Sequence, residues 1–301
     1  MQHEVIIIGG SYAGMAAGLQ LARAKRRVLV IDAGERRNRF ASTSHGFLTQ
    51  DGVDPAEIAE RARRQLLAYP TVEWLEGRAG TADGDLDDFT VHAAGKAHRG
   101  RRLILAFGVS DQLPDVPGLK QRWGRNVFHC PYCHGYEIGD APIGVLATGA
   151  ISMHQAMMLP DWGRTTFFTN GTFEPDADQL AALARRGVNV ETQPVRALGG
   201  SGDMVTVELA DGRSVALGGL FTAPSTRVAA PLAGQLGCDF DDGPLGAYIR
   251  VDALQMTSRA GVFACGDAAA MAGSVALAVG DGTRAGVAAH RSLMFPELLA
   301  A

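Results

Sequence analysis

Short apolar runs alternate along the chain with stretches whose apolar positions recur at helical spacing, and the first example sets the pattern. Residues Glu4 to Ile8 (EVIII) carry a continuous β-branched run, GGSYAG follows, MAAGLQLARAKR has helical periodicity, and RVLVID is apolar again. This order predicts a buried strand, a glycine turn, a helix and a second buried strand. PIGVLATGAISMHQAMML followed by TTFFTNG repeats the order in mid-chain, and GVFACGDAA reads as a short buried strand ahead of a small-residue helix, GSVALAVGDGTRAGVAAHRSL. Strands that alternate with helices in this way predict an α/β class built on parallel sheets. Met153, Met157 and Met158 fall on the second helix and are expected in its core packing.

Length and composition narrow the picture. The 301 residues, 47% hydrophobic, suffice for two domains with a core each. With a net charge of -4 and only the short, interrupted GERRNRF as a cationic run, nucleic acid is not an expected partner. VIIIGG is too short for a signal or membrane segment, so no membrane association and a cytoplasmic location are expected. Four cysteines are too few for a secreted disulfide framework.

The first strand-turn-helix unit has the chemistry of a dinucleotide site. Turn amides and the first helical turn face a pyrophosphate in such a unit, and the helix dipole favours its charge. Gly9 supplies the tight turn and Gly14 the close helix packing. Ser11 stands where the fingerprint has its middle glycine, and it is small enough for phosphate approach. Tyr12 either stacks on the cofactor or covers the helix start. Asp32, at the end of the second strand, is placed to accept from ribose hydroxyls and disfavours a 2′-phosphate there. Near the other end, Gly266 and Asp267 close a strand ahead of a helix, the arrangement by which many flavoproteins fix the ribityl and pyrophosphate part of FAD. The simpler alternative makes Asp267 a helix cap.

FHCPYCHGYEIG, residues 128–139, places Cys130 and Cys133 two residues apart with His134 directly after. Three chemistries use this spacing: a zinc knuckle, a glutaredoxin-type centre, and a redox disulfide working against a bound cofactor. Zinc needs two more ligands, usually from a second close pair, whereas Cys238 and Cys265 stand 27 apart. No metal is expected. Cys-Pro-Tyr-Cys also matches glutaredoxins, but there it belongs to a small fold of its own.

IIIGGSYAG, LILAFGVSDQLPDVPG, CPYCHG and GVFACGD, in this order over nearly the whole chain, resemble the low-molecular-weight thioredoxin reductase family of pyridine nucleotide-disulfide oxidoreductases. The resemblance implies a thioredoxin reductase-like α/β fold with two Rossmann-like, three-layer nucleotide-binding domains, the second inserted in the first. An FAD domain is expected at 1–117 and 246–301, with an inserted NAD(P)-binding-like domain at 118–245 that carries the Cys-x-x-Cys. LPDVPGL and DDGPLGAY have linker composition and mark the expected crossings. FAD contacts are implied for Gly9, Ser11, Tyr12, Gly14, Asp32, His45, Ala106, Gly266, Asp267, Val275 and Ala276. Val275 stands where the family usually has a glutamine, but a backbone contact survives that change. The resemblance also implies a homodimer.

GGSYAG, STSHGFLTQDG, CPYCHGYE and HQAMMLPDWG are more similar to a subgroup whose members include flavin enzymes that close the disulfide of dithiol natural products such as gliotoxin, holomycin and bicyclic depsipeptides. By this resemblance Cys130 and Cys133 form a redox pair, Cys133 beside the flavin C4a and Cys130 outward toward substrate. A helix starting at the motif would lower the thiolate pKa. His134 replaces the aspartate usual in thioredoxin reductases and is expected as general base, since an imidazole titrates near ~6.5; its simpler reading is a backbone hydrogen-bond partner. Glu137 orients it or serves in its place, and His45 is expected to contact FAD or substrate.

The second nucleotide unit is eroded. Its turn, Ala147 to Ser152, keeps only the central glycine, Gly149, and Thr169-Asn170-Gly171 stands where thioredoxin reductases carry a basic cluster for the NADPH 2′-phosphate. This argues against NADP as a cofactor, leaving Arg164 and Arg196 as the cations that a loop would have to supply. The expected partners are therefore a small-molecule dithiol, which reduces the flavin, and oxygen, which reoxidises it. The alternatives are an NADPH-dependent thioredoxin reductase with a thioredoxin-like protein partner, and a flavin redox sensor without turnover.

Overall fold

The computed structural model describes residues 2–299, which divide into two compact units. One comprises the chain through Arg37, Pro55–Ser110 and the chain from Thr226; the other comprises Asn38–Asp54 and Asp111–Ser225. The first apolar run forms β1 (His3–Ile8), followed by α1 (Tyr12–Arg23) and β2 (Val28–Asp32). After α2 (Pro55–Leu67) come β3 (Val72–Glu76), β4 (Ala79–Asp85), β5 (Asp88–Ala93) and β6 (Lys96–Leu105). Strands β3-β2-β1-β6 lie in that order and are parallel, with Ile7 opposite Val30 and Ile104. Strands β4 and β5 continue the sheet from β6 as an antiparallel meander.

The chain leaves this unit along β7 (Val109–Gln112) and builds α3 (Leu119–Arg122), β8 (Val127–Phe128), α4 (Pro131–His134), β9 (Ile143–Leu146), α5 (Ser152–Met158) and β10 (Thr165–Phe168). It continues through α6 (Ala177–Arg185), β11 (Asn189–Glu191), the antiparallel β12 (Val195–Gly199), β13 (Val205–Leu209) and β14 (Ser214–Leu217), and β15 (Gly219–Thr222). Five of these strands form a parallel sheet in the order β11-β10-β9-β15-β8. Both faces are buried: Val145, Phe167 and Phe221 point into one cluster, while Leu146, Phe168 and Leu220 point into another. Strands covered on both faces need unbroken apolar runs, which is why VLATG and TTFF show no alternation.

On its return the chain forms β16 (Ser225–Val228), α7 (Leu232–Gln235), β17 (Phe240–Gly243), β18 (Gly246–Ile249), β19 (Val262–Ala264) and α8 (Val275–Met294). Strand β19 pairs in parallel with Leu103–Leu105 of β6, completing a parallel core β3-β2-β1-β6-β19. The two units thus repeat one Rossmann-like plan: a β-α-β start, an antiparallel meander, and a parallel strand after it.

The crossings differ from the linkers expected at 117 and 246. LPDVPGL belongs to the inserted unit, because Leu113 and Val116 pack on its core and Pro117 accepts from the Leu198 amide. DDGPLGAY is the tight turn of the β17–β18 hairpin, with Gly243 opposite Gly246. The chain crosses instead at 110/111 and 225/226, and α7 with its C-cap residue packs Leu232, Ala233 and Leu236 into the first unit's core. Residues 38–54, expected in the FAD domain, group with the inserted unit.

Candidate functional site

In the first unit the glycine turn after β1 is built for close backbone approach. Gly9 has φ +105, and a Cβ there would collide with the Ala106 carbonyl, so both conformation and space require glycine. Gly14 sits directly under the Gly9 carbonyl. Asp32 accepts from the Gly10 amide at 3.0 Å, which locks the turn and leaves its second oxygen for a ribose hydroxyl. Ser11 is the N-cap of α1, yet its side chain makes no capping hydrogen bond. The amides of that first turn are therefore not closed off by their own cap, as a pyrophosphate site requires.

Tyr12 is buried and its hydroxyl donates to the Pro55 carbonyl at 3.0 Å, which favours the covering role over stacking. Gly266 and Asp267 lie in a short 3-10 turn after β19, and Asp267 pairs with Arg37 at 2.9 Å. Ser274 caps α8 by accepting from the Leu277 amide, so Val275 and Ala276 occupy its first helical positions. The glycine cradle, the open first turn and the two carboxylates fit the dinucleotide half of FAD.

The cysteines lie in the second unit. Cys130 and Cys133 are joined as a disulfide, with Cα atoms 5.3 Å apart, and both are partly exposed. Cys130 is the N-cap of α4, which has only four residues, so the expected helix is a single turn and its dipole is small. Pro131 at its first position is buried and fixes the backbone there. Among the described residues no group of three or more His, Cys, Asp or Glu side chains could hold a metal ion. Cys238 and Cys265 are free and buried, and burial pushes both thiols up.

His134 stacks on Phe128, and burial, assisted by the charge of His45, pushes its pKa down to about 4. Glu137 does not orient it through any described hydrogen bond; its carboxylate lies 3.4 Å from Nδ1 of His45. The same nitrogen is 3.5 Å from Asp51, whose carboxylate also accepts from the Gly46 amide. Sequence reasoning assigned His45 to FAD or substrate; its described neighbours are these two carboxylates.

Two residues that hold the disulfide turn were not singled out by sequence. Gln155 of α5 donates to the His129 carbonyl at 2.7 Å, anchoring the residue before Cys130. Trp162 meets Tyr132 edge-on, 5.3 Å between centroids, and a Cβ on Gly135 would lie 2.6 Å from its ring. Both belong to HQAMMLPDWG, so the signal was present as a motif without a role.

The turn after β9 is held at its first residues by side-chain hydrogen bonds. The Thr148 amide donates to the Ser152 hydroxyl at 2.9 Å, the Thr148 hydroxyl donates to the Ala223 carbonyl, and the Thr172 hydroxyl donates to the Ala147 carbonyl. Asn170, where a phosphate-gripping cation was sought, accepts from the Val195 amide at 2.7 Å. Arg196 is paired with Glu208 at 2.7 Å. Arg164 precedes β10, four residues and roughly 13 Å of strand from its C-terminal end, where nucleotides bind.

Residues 3–286 match the family described as pyridine nucleotide-disulphide oxidoreductase. The fold superimposes on an oxidoreductase from Agrobacterium tumefaciens with a TM-score of 0.95 and 57% identity, covering 98% of this chain and 100% of that one. It superimposes on HlmI with a TM-score of 0.89 and 35% identity, covering 99% and 95%. Thioredoxin reductase tcpT of Claviceps purpurea is 32% identical over 304 residues, covering 97% of this chain and 94% of its own.

Proposed function

The chain belongs to the pyridine nucleotide-disulphide oxidoreductase family, with its thioredoxin reductase-like fold; from that premise we propose that it is an FAD-dependent dithiol oxidase, taking electrons from a small-molecule dithiol through Cys130 and Cys133 and giving them to oxygen. The observation that carries this reading is that Thr148, at the head of the turn after β9, is bonded through both its amide and its hydroxyl to the protein itself, together with the absence of a described cation from Thr169–Gly171. A nicotinamide dinucleotide needs turn amides and a ribose or phosphate partner, whereas the Thr148 amide and the Asn170 side-chain oxygen are engaged here by Ser152 and Val195. The resemblance of GGSYAG, STSHGFLTQDG, CPYCHGYE and HQAMMLPDWG to the dithiol-oxidising subgroup supports the same direction.

A substrate thiolate attacks Cys130, the Cys130–Cys133 bond breaks, and Cys133 leaves as thiolate. The second substrate thiol then closes the product disulfide and displaces Cys130. Bound FAD supplies the two-electron acceptor for the resulting enzyme dithiol. Gly9, Ser11, Gly14, Asp32 and the first turn of α8 would hold it. Tyr132 and Tyr136, 74% and 86% exposed on the disulfide turn, offer aromatic surface to an organic substrate.

No described helix is long and apolar enough to cross a membrane. The test is an anaerobic titration of the flavin-loaded protein with NADPH and, separately, with dithiothreitol, following visible flavin absorbance. Bleaching by the dithiol alone, with colour restored by air, is expected. Rapid bleaching by NADPH would make the protein a reductase.

A further inference from the structure

Gly10 is a glycine that the dinucleotide fingerprint does not ask for. It falls between Gly9 and Ser11, at a position the motif leaves variable, and its φ is not left-handed. Space is what excludes a side chain there. A Cβ on Gly10 would collide with Cη2 of Trp74, lie 2.6 Å from Cζ2 of the same ring, and lie 2.8 Å from Cβ of Asp32. The outer edge of the Trp74 indole, the Gly10 backbone and the root of the Asp32 side chain therefore converge on one point. That point flanks the hydrogen bond from the Gly10 amide to the Asp32 carboxylate, which locks the turn.

Trp74 reaches this place from β3, where it stands opposite Val30, two residues before Asp32 on β2. Its other contacts fix the ring. The guanidinium carbon of Arg63, on α2, lies 4.7 Å from the ring centroid, and Arg63 is itself paired with Glu76 at 2.9 Å. A cation stacked on an indole face is attracted to it and restrains its tilt. Helix α2 is in turn fastened to α1 near both ends. The Tyr12 hydroxyl donates to the Pro55 carbonyl, and the buried Leu66 side chain lies against Gly18. All of these residues belong to the first unit.

We propose that Trp74 is the positioning residue for the adenosine ribose of the bound dinucleotide. Its indole edge, oriented by Arg63, holds Gly10 against Asp32, so that one carboxylate oxygen stays on the turn amide and the other stays aimed at the ribose hydroxyls. This deepens the FAD-dependent reading and rests on it. Trp74 acts only through Gly10 and Asp32. Without the outer edge of the ring the Gly10 backbone gains room to move off Asp32, and the carboxylate loses its fixed aim. Hydrogen bonds weaken steeply with angle, and an acceptor already oriented binds better than one that must be ordered by its ligand.

The experiment takes the full chain, freed of flavin and shown to reload with FAD, and titrates it calorimetrically with ADP and with 2′,3′-dideoxyadenosine diphosphate. Wild type, Trp74→Phe and Arg63→Met proteins are compared, with FAD affinity from flavin fluorescence and thermal unfolding alongside. In the wild type an aimed carboxylate should make ADP bind on the order of 10-fold more tightly than the dideoxy analogue. Trp74→Phe keeps an aromatic ring in the core and removes the outer edge that meets Gly10. Its preference for ADP should collapse toward unity and its FAD affinity should fall, while Arg63→Met should lie between it and the wild type. A general loss of stability would weaken both probes alike and leave their ratio unchanged. A wild-type ratio in folded Trp74→Phe overturns the proposal. Should that variant fail to fold, the ratio in Arg63→Met, which leaves the indole in place, decides the matter in the same way. A wild type that binds neither probe, or binds both alike, would instead remove the dinucleotide reading of the Gly9–Asp32 cradle beneath it.

Discussion

His134 lies face to face with Phe128, ring centroids 4.3 Å apart and planes 19° from parallel. The contact keeps the imidazole neutral, with a pKa pushed down to about 4 by burial and the charge of His45. An unfolded histidine titrates near ~6.5, so between the two values the unfolded chain binds more protons. Stability from this group is therefore full above ~6.5 and is lost as pH falls toward about 4, by up to roughly 3 kcal/mol. Urea unfolding from pH 7 to 4 should show a shallower loss in His134→Gln than in the wild type; parallel curves would refute the assignment.

Cys130→Ser and Cys133→Ser proteins should each keep bound FAD and lose dithiol-driven flavin reduction to background. The cradle residues and the disulfide belong to different compact units, so each substitution leaves the cradle's own contacts in place. Absorbance spectra of the purified variants check retention, and anaerobic titration checks reduction. Normal reduction in either variant would contradict the disulfide pathway.

Arg102 is fully buried on β6, where it donates to the hydroxyl and carbonyl of Ser292 on α8 and to Asp87 at the β4–β5 turn. Burial pulls its guanidinium pKa down, and the Asp87 carboxylate opposes that pull. Arg102→Met leaves the Ser292 carbonyl without this donor and should cost about 3 kcal/mol. Arg102→Lys should also destabilise, because an ammonium cannot span the same acceptors as a planar fork. Chemical denaturation of the flavin-loaded proteins measures both.

Helix α8 crosses α1 where Gly282 faces the Ala13 carbonyl and Gly286 faces the Ala17 carbonyl, each too close for a Cβ. Gly282→Val must push the helices apart. A loss of about 1–3 kcal/mol is expected from overpacking, with weaker FAD retention because α1 begins at the glycine turn. Flavin released on dialysis gives the readout; unchanged stability and retention would mean that the crossing relaxes freely.

Much of the first nucleotide site was legible because its requirements are local. Gly9, Ser11 and Asp32 are bound to one another by a turn of a few residues and by neighbouring strands, so their spacing already encodes the geometry. The Cys-x-x-Cys was legible for the same reason, since residues three apart on a single turn reach each other directly. Its supporting contacts were not. Trp162 and Gln155 approach the disulfide turn from another helix and its following turn, and nothing in their own neighbourhood reveals it.

The chain's sequence by itself determined two β-α-β units, a glycine cradle and a cysteine pair, because hydrophobic period, glycine backbone freedom and short-range spacing act within a few residues. Tertiary structure alone decided which charges meet. It brought residues 38–54 to the inserted unit and so paired His45 with Glu137, tied Thr148 to Ala223 and Ala147 to Thr172, and sent the chain across at 110/111 and 225/226. Long-range partners of polar groups are set by how packed layers place distant segments, and many sequences with the same pattern of apolar positions would place them elsewhere.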